Sequence, residues 1–328
     1  MHGAAKEDSY KKIRGNSYGM WIATEINLHH DNTIKEAFNR QLAAKRRKIF
    51  WDLNPDNPNS PIYVKYIDNY AKKHKDGTLL GGYNYQHFTI FDNINIPDIR
   101  KQEIISQYDQ NSIWYLRDIL GKRCIAEGLC YRNFANNPLK YRISREEAKE
   151  KSSRIILSVD FGGSGSGHAF VATGISRDFR DVIGLASERH FGDIDPNQLG
   201  DLFVDFVLKI INLYGMPDIC YADSAEQTLI RGLRTALMKA NISLAVDNAW
   251  KSEINDRIRA TNRLMGQMRL HLTEDCETLE TAFCTAVWNP KELTKDERLD
   301  DGSSDIDSLD AFEYTIERDI ELLILTEV

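Results

Sequence analysis

Arg154-Ile155-Ile156-Leu157-Ser158-Val159-Asp160-Phe161-Gly162-Gly163 is an almost wholly apolar run that ends in an aspartate and a glycine turn. Its length and its content of Ile and Val predict a buried β-strand over Arg154–Asp160. The run Asp218-Ile219-Cys220-Tyr221-Ala222-Asp223-Ser224-Ala225-Glu226 repeats the arrangement, with a strand over Ile219–Ala222 and Asp223 at its tip. A core strand has no structural need of a carboxylate at its end. Two such groups on neighbouring strands repel each other unless positive charge lies between them. A divalent metal supplies that charge: Mg²⁺ prefers hard oxygen ligands, and two ions about 3.5–4 Å apart can activate a water and stabilise the leaving oxygen of a phosphodiester. Taken singly, each acid also fits a helix cap or a solvated strand end.

Working outward, His168–Ser176 and Val182–His190 read as two further strands joined to the first by short loops, one of them the glycine run Gly162–Gly167. Asn197–Tyr214 has helical spacing at Leu199, Leu202, Phe203, Phe206, Val207 and Ile210, and helices are also predicted over Gln227–Ala240 and Ile254–Met268, with a strand at Ser243–Val246. Three antiparallel strands followed by alternating helices and strands is the element order of the ribonuclease H-like fold, an α/β class with a mixed sheet flanked by helices. A third source of acids is Asp305-Ile306-Asp307-Ser308-Leu309-Asp310-Ala311-Phe312-Glu313-Tyr314. Its pattern is helical, and the i, i+3 spacing puts Asp307 and Asp310 on one face with Tyr314 a turn further on.

In the other direction, the charged stretch 144–153 marks a boundary. Before it, Tyr18–Thr24 and Ile49–Leu53 are apolar runs of strand length flanking a helical stretch near Thr33–Arg46. Strand, helix, strand predicts a βαβ unit with a parallel sheet. Ile99–Tyr108 and Ile113–Leu120 read as two more helices. The 328 residues suggest about two domains at roughly 100–200 residues each. With 42% apolar and 28% charged residues, the disordered, collagen-like and membrane-spanning classes are excluded.

The net charge of −7 argues at face value against a nucleic-acid partner, but it is unevenly placed. Residues 1–150 hold 24 basic and 18 acidic side chains, whereas residues 292–328 carry 13 acids against 3 bases. Five cysteines with no C-x-x-C pair point to neither zinc nor a disulfide framework, and no apolar run nears the length of a membrane span or a secretory signal. An intracellular protein with reduced thiols is expected. Lys45-Arg46-Arg47-Lys48 reads as DNA-phosphate contacts or as a solvated helix end. His29-His30 lacks a third ligand, and Trp114 and Trp288 read as core or interface aromatics.

The second half resembles the nuclease domain of the large terminase subunit of tailed bacteriophages, the motor that packages DNA into proheads and cuts it. The resemblance is carried by Asp160-Phe161-Gly162-Gly163, by Asp223 as the acid of the fourth strand, and by Asp307-Ser308-Leu309-Asp310-Ala311-Phe312-Glu313-Tyr314, where the family has H-x-x-D-A-x-x-Y. It implies an endonuclease dependent on Mg²⁺ or Mn²⁺, two ions being expected. Asp160, Asp223 and Asp310 would be metal ligands, Asp307 would stand beside them in place of the histidine, and Lys251 in Lys251-Ser252-Glu253-Ile254 would contact phosphate. An ordinary surface lysine is the alternative for Lys251.

The first half resembles the later part of the terminase packaging ATPase. Trp21-Ile22-Ala23-Thr24-Glu25 stands at the Walker B strand, with Thr24 where an aspartate is usual, and Asn54-Pro55 matches the motif that senses the nucleotide. The segments 88–93, 115–122 and 126–131 are similar to the close of that domain. No G-x-x-x-x-G-K-[ST] occurs, so the chain is expected to begin inside the ATPase domain, truncated at its N-terminus, and to use ATP only if a P-loop is supplied to it. The expected division is 1–140 partial ATPase domain, 141–153 linker and 154–328 nuclease domain. The resemblance implies double-stranded DNA, a small terminase subunit and a portal protein as partners, no membrane, and a place in the bacterial host cytoplasm. A non-catalytic packaging component or decayed prophage remnant is an alternative. So is a junction resolvase or transposase of the same fold, which Asn54-Pro55 and Gly128–Tyr131 oppose.

Overall fold

The structure, a computed structural model, describes residues 3–108, 110, 112–162, 166–292 and 294–325. Gly163, Ser164 and Gly165 of the predicted glycine loop lie outside the described residues. The chain divides into two compact units: Met1–Ile94 with Leu116–Ile125, and Asn95–Tyr115 with Ala126–Val328.

Unit 1 contains the expected βαβ. Strands β1 (Met20–Ala23) and β2 (Lys48–Trp51) pair in parallel, with Trp21 opposite Ile49 and Ala23 opposite Trp51, and helix α1 (Asp31–Arg40) connects them. The His30 ring caps α1, its Nδ1 accepting from the Asn32 amide at 3.2 Å. The helix stops at Arg40, short of the predicted Arg46, because the chain turns at the buried Gln41, whose side-chain amide donates to the Lys48 carbonyl at 3.3 Å. Lys45–Lys48 stay exposed. Alternation along the strands sends Trp21, Ala23 and Trp51 toward a core with Ile26, Ile34, Ile62, Tyr63 and Ile67, while Met20, Ile22 and Phe50 face outward and are exposed. A π-helical stretch (Ile62–Ile67) leads into helix α2 (Asp68–Lys75).

Unit 2 begins with α3 (Asp98–Ser106) and α4 (Arg132–Asn136). The stretch 141–153, expected as a linker, carries α5 (Arg145–Lys151), with Ser144 at its N-cap and Ala148 fully buried. A six-stranded sheet follows, in the order β7-β6-β3-β4-β5-β8. β3 (Arg154–Asp160), β4 (His168–Ile175) and β5 (Val182–His190) form the predicted antiparallel meander. β6 (Ile219–Ala222) lies parallel to β3 and β7 (Val246–Asn248) parallel to β6. The strand predicted at Ser243–Val246 is shifted, because pairing to β6 starts only at Val246 opposite Cys220. β8 (Leu270–Leu272) pairs with β5, and at three residues it is too short for alternation to reveal.

Both faces of this sheet are covered. On one, Leu157, Val159, Phe170 and Leu185 meet Phe203, Phe206 and Ile210 of α6 (Pro196–Leu213) and Ile230, Leu233 and Leu237 of α7 (Gln227–Lys239). On the other, Ile156, Val171 and Tyr221 meet α8 (Ile254–Gly266), α9 (Glu277–Thr285) and α10 (Ile306–Ile316), the last followed by α11 (Ile320–Leu325). Phe312 and Phe283 are fully buried there, ring centroids 5.4 Å apart, edge to face. Trp114 and Trp288 lie in the same core. The mixed sheet flanked by helices is the architecture expected for the second half. Among the described residues no helix is long and apolar enough to cross a membrane.

Candidate functional site

The register of β3 and β6 decides where the strand-end acids go. Ser158 lies opposite Tyr221, so Asp160 and Asp223, two residues further along each strand, reach the carboxyl ends of adjacent parallel strands on the same face. That face is the one α10 covers: the Ser158 hydroxyl donates to the Ala311 carbonyl at 2.5 Å, and the Tyr314 hydroxyl donates to Asp160 Oδ1 at 3.1 Å. Strand ends and helix thus bring Asp160, Asp223, Asp307 and Asp310 into one region.

The acids differ in their counter-charges. The Lys251 ammonium is ion-paired with Asp223 Oδ1. Asp310 Oδ1 meets Arg298 Nη2 at 2.6 Å and Arg257 Nη1 at 3.4 Å, and both guanidiniums also hold the fully buried Glu313, at 2.7 and 3.0 Å. Asp307 Oδ2 accepts from Arg189 Nε at 2.9 Å and from the Gly167 amide at 3.0 Å. Asp307 therefore ties the far end of the glycine loop to α10. Gly162 and Gly167 approach closely: a Cβ at Gly162 would lie 2.6 Å from the Gly167 carbonyl carbon, which only glycine avoids.

Asp160 is the exception. It is buried and, among the described residues, has no ion-pair partner, only the Tyr314 hydroxyl. Burial, and then the charges of Asp310, Asp223 and Asp307, push its carboxyl well above the usual range. Burial, and then the charges of Asp160, Asp310 and Asp223, also push the Tyr314 phenol up, so it remains a hydrogen-bond donor to Asp160. A cation placed among Asp160, Asp223 and Asp310 would relieve this excess of negative charge, and an all-oxygen donor set suits a hard divalent ion such as Mg²⁺ or Mn²⁺. Among the described residues no group of three or more His, Cys, Asp or Glu is already arranged to hold a metal ion. The donor chemistry fits the ion, and the internal cations stand where ligand directions would have to open.

In unit 1 the structure brings the other two predicted residues together. Glu25 has left-handed backbone, φ +50°, its amide donates to Asp52 Oδ1 at 2.8 Å, and Asn54 Nδ2 donates to Glu25 Oε1 at 3.4 Å. His29 sits near the Thr24 backbone with its pKa lowered by burial, which leaves it a neutral ring.

Sequence reading missed Arg189, Arg257, Arg298, Glu313 and Glu317. One signal was available: only three bases stand among the 13 acids of residues 292–328, and one of them, Arg298, is nearly buried between two of those acids.

No protein-family model matches the chain, and no curated protein matches it. Among solved structures, the large terminase from a thermophilic bacteriophage is similar over 95% of this chain and 71% of its own, at 19% identity and a TM-score of 0.73. The same terminase in complex with ATP-gamma-S is similar over 93% of this chain and 72% of its own, at 19% identity and a TM-score of 0.73. At that identity the likeness establishes the fold: across nearly its whole length this chain has the fold of a phage large terminase.

Proposed function

We propose that this chain is a large terminase subunit whose second half is a Mg²⁺- or Mn²⁺-dependent endonuclease cutting concatemeric double-stranded viral DNA, beside an ATPase half. The proposed division is 1–140 ATPase, 141–153 linker and 154–328 nuclease. The observation that carries the reading is Asp160: a buried carboxylate that, among the described residues, has no cation and faces the charges of Asp310, Asp223 and Asp307. Asp160, Asp223 and Asp310 would hold the metal, two ions being expected, with Asp307 auxiliary through its grip on Gly167 and Arg189. Bound there, the metal would supply Lewis acidity and a nucleophile at neutral pH. The chain's own residues do the rest. Tyr314 fixes the Asp160 carboxylate by its hydroxyl hydrogen, Arg257 and Arg298 fix α10 by pairing Glu313 and Asp310, and Lys251 offers its ammonium to a phosphate oxygen.

In the ATPase half, Glu25 would orient the attacking water and Asn54 would sense the nucleotide by its amide on Glu25. Without a phosphate-binding loop in the sequence, ATP turnover by this chain alone is expected to be negligible. Double-stranded DNA, a small terminase subunit and a portal protein are the proposed partners, in the bacterial host cytoplasm.

One observation favours a second reading as a non-catalytic packaging component: Arg298 and Arg257 already neutralise Asp310. Nicking of supercoiled plasmid in Mn²⁺ separates the two. The endonuclease reading predicts nicking by the wild type and its loss in Asp160→Ala; equal nicking by both proteins would sink it.

A further inference from the structure

Glu317 follows the last turn of α10, is 5% exposed, and spends both carboxylate oxygens on one loop. The amides of Trp250, Lys251 and Ser252 donate to it at 2.6, 3.4 and 3.1 Å, and the Ser252 hydroxyl donates at 3.1 Å. Three successive amides converging on one anion form a nest, here filled by the protein's own side chain. Closing it requires a left-handed residue, and Lys251 takes that conformation at φ +53°, although it has no glycine-like freedom to do so. Arg318 adds a second hold. Its guanidinium lies 4.4 Å from the ring centroids of both Tyr221 and Trp250 and donates to the Asn248 carbonyl at 3.0 Å.

This clamp buries little. Trp250 remains 60% exposed and the Lys251 side chain 39% exposed, so apolar packing does not explain it. What it fixes is one charge: the Lys251 ammonium on Asp223. The spacing agrees, because Asp310, Tyr314 and Glu317 follow at i, i+4 and i+7 on one face of the helix. One helix therefore carries a proposed metal ligand, the partner of Asp160 and the anchor of the lysine loop.

We infer that Glu317 and Arg318 are positioning residues that hold Lys251 on Asp223 as a tethered counter-ion, which an incoming divalent cation displaces and which is then free to meet a phosphate. The inference rests on the reading of the acid cluster as a divalent-metal site. It makes the metal affinity of that site a competition between a tethered monovalent charge and a free divalent one.

Calorimetric titration of Mn²⁺ into the full chain tests it without reference to activity, using the wild type, Lys251→Met, Glu317→Gln and the double variant. Lys251 is half exposed, so Lys251→Met keeps the fold and gives an interpretable result even if Glu317→Gln does not fold. The expected result is Mn²⁺ binding about fivefold tighter in Lys251→Met, the size of a half-exposed ion pair. Glu317→Gln should move the same way by less, and should add nothing in the Lys251→Met background. Unchanged affinity in Lys251→Met overturns the inference and leaves the metal site standing. A Glu317→Gln effect that persists without Lys251 overturns the positioning role. Absence of Mn²⁺ binding in every protein overturns both the metal site and what is built on it.

Discussion

The six-stranded sheet of unit 2 and the two-stranded sheet of unit 1 obey the same alternation rule and end in opposite conditions. In unit 2, both faces of β3 are buried, odd positions under α6 and even positions under α10. In unit 1, only the Trp21 and Ala23 side is covered, and Met20, Ile22 and Phe50 are exposed on the other. Parallel strands usually occur with both faces covered. The difference separates two kinds of acid. Asp160 is held in place by packing on both sides of its strand, so among the described residues it stays buried without a cation. Glu25, at the end of a half-covered strand, depends on the local hydrogen bonds from its amide to Asp52 and from Asn54 to its carboxylate.

The sharpest way to break that contrast is through packing. Phe312→Ala, under the covered face, is expected to cost about 3–5 kcal/mol in urea unfolding, whereas Phe50→Ala on the open face should change stability by less than about 0.5 kcal/mol. Similar losses at both positions would erase the distinction. A smaller effect, about 3 kcal/mol, is expected for Arg298→Met, because it leaves the buried Glu313 and Asp310 short of a guanidinium.

The smallest effect belongs to unit 1. The hydrogen bond from Lys35, assisted by Tyr66 and Lys65, holds the Asp31 carboxyl below its usual range. A group whose folded pKa is lowered contributes stability above its unfolded pKa, roughly 4, and loses it as pH falls through the folded value. Asp31→Asn should therefore cost about 0.5 kcal/mol at pH 7 and less at pH 2, as read from urea unfolding of both proteins at the two pH values.

The same contrast explains what was legible in the sequence. Asp160 and Asp223 could be found because a short apolar run ending in an acid announces a buried strand and its tip, and α10 because its acids recur at helical spacing. The βαβ of unit 1 was legible for the same reason. The cations around the acids were not. Arg189 reaches Asp307 across 118 residues, and Lys251 and Glu317 meet across 66, separations at which no local pattern survives. Nor did the sequence show which carboxylate would lack a partner, since that depends on how many arginines the fold brings to each.

The most direct measurement is anomalous scattering from crystals of the full chain soaked in Mn²⁺. An anomalous peak is expected among the carboxylates of Asp160, Asp223 and Asp310, with the Lys251 ammonium moved off Asp223. Crystals that diffract well and show no peak there, with Lys251 and Arg298 still seated on their acids, would contradict it.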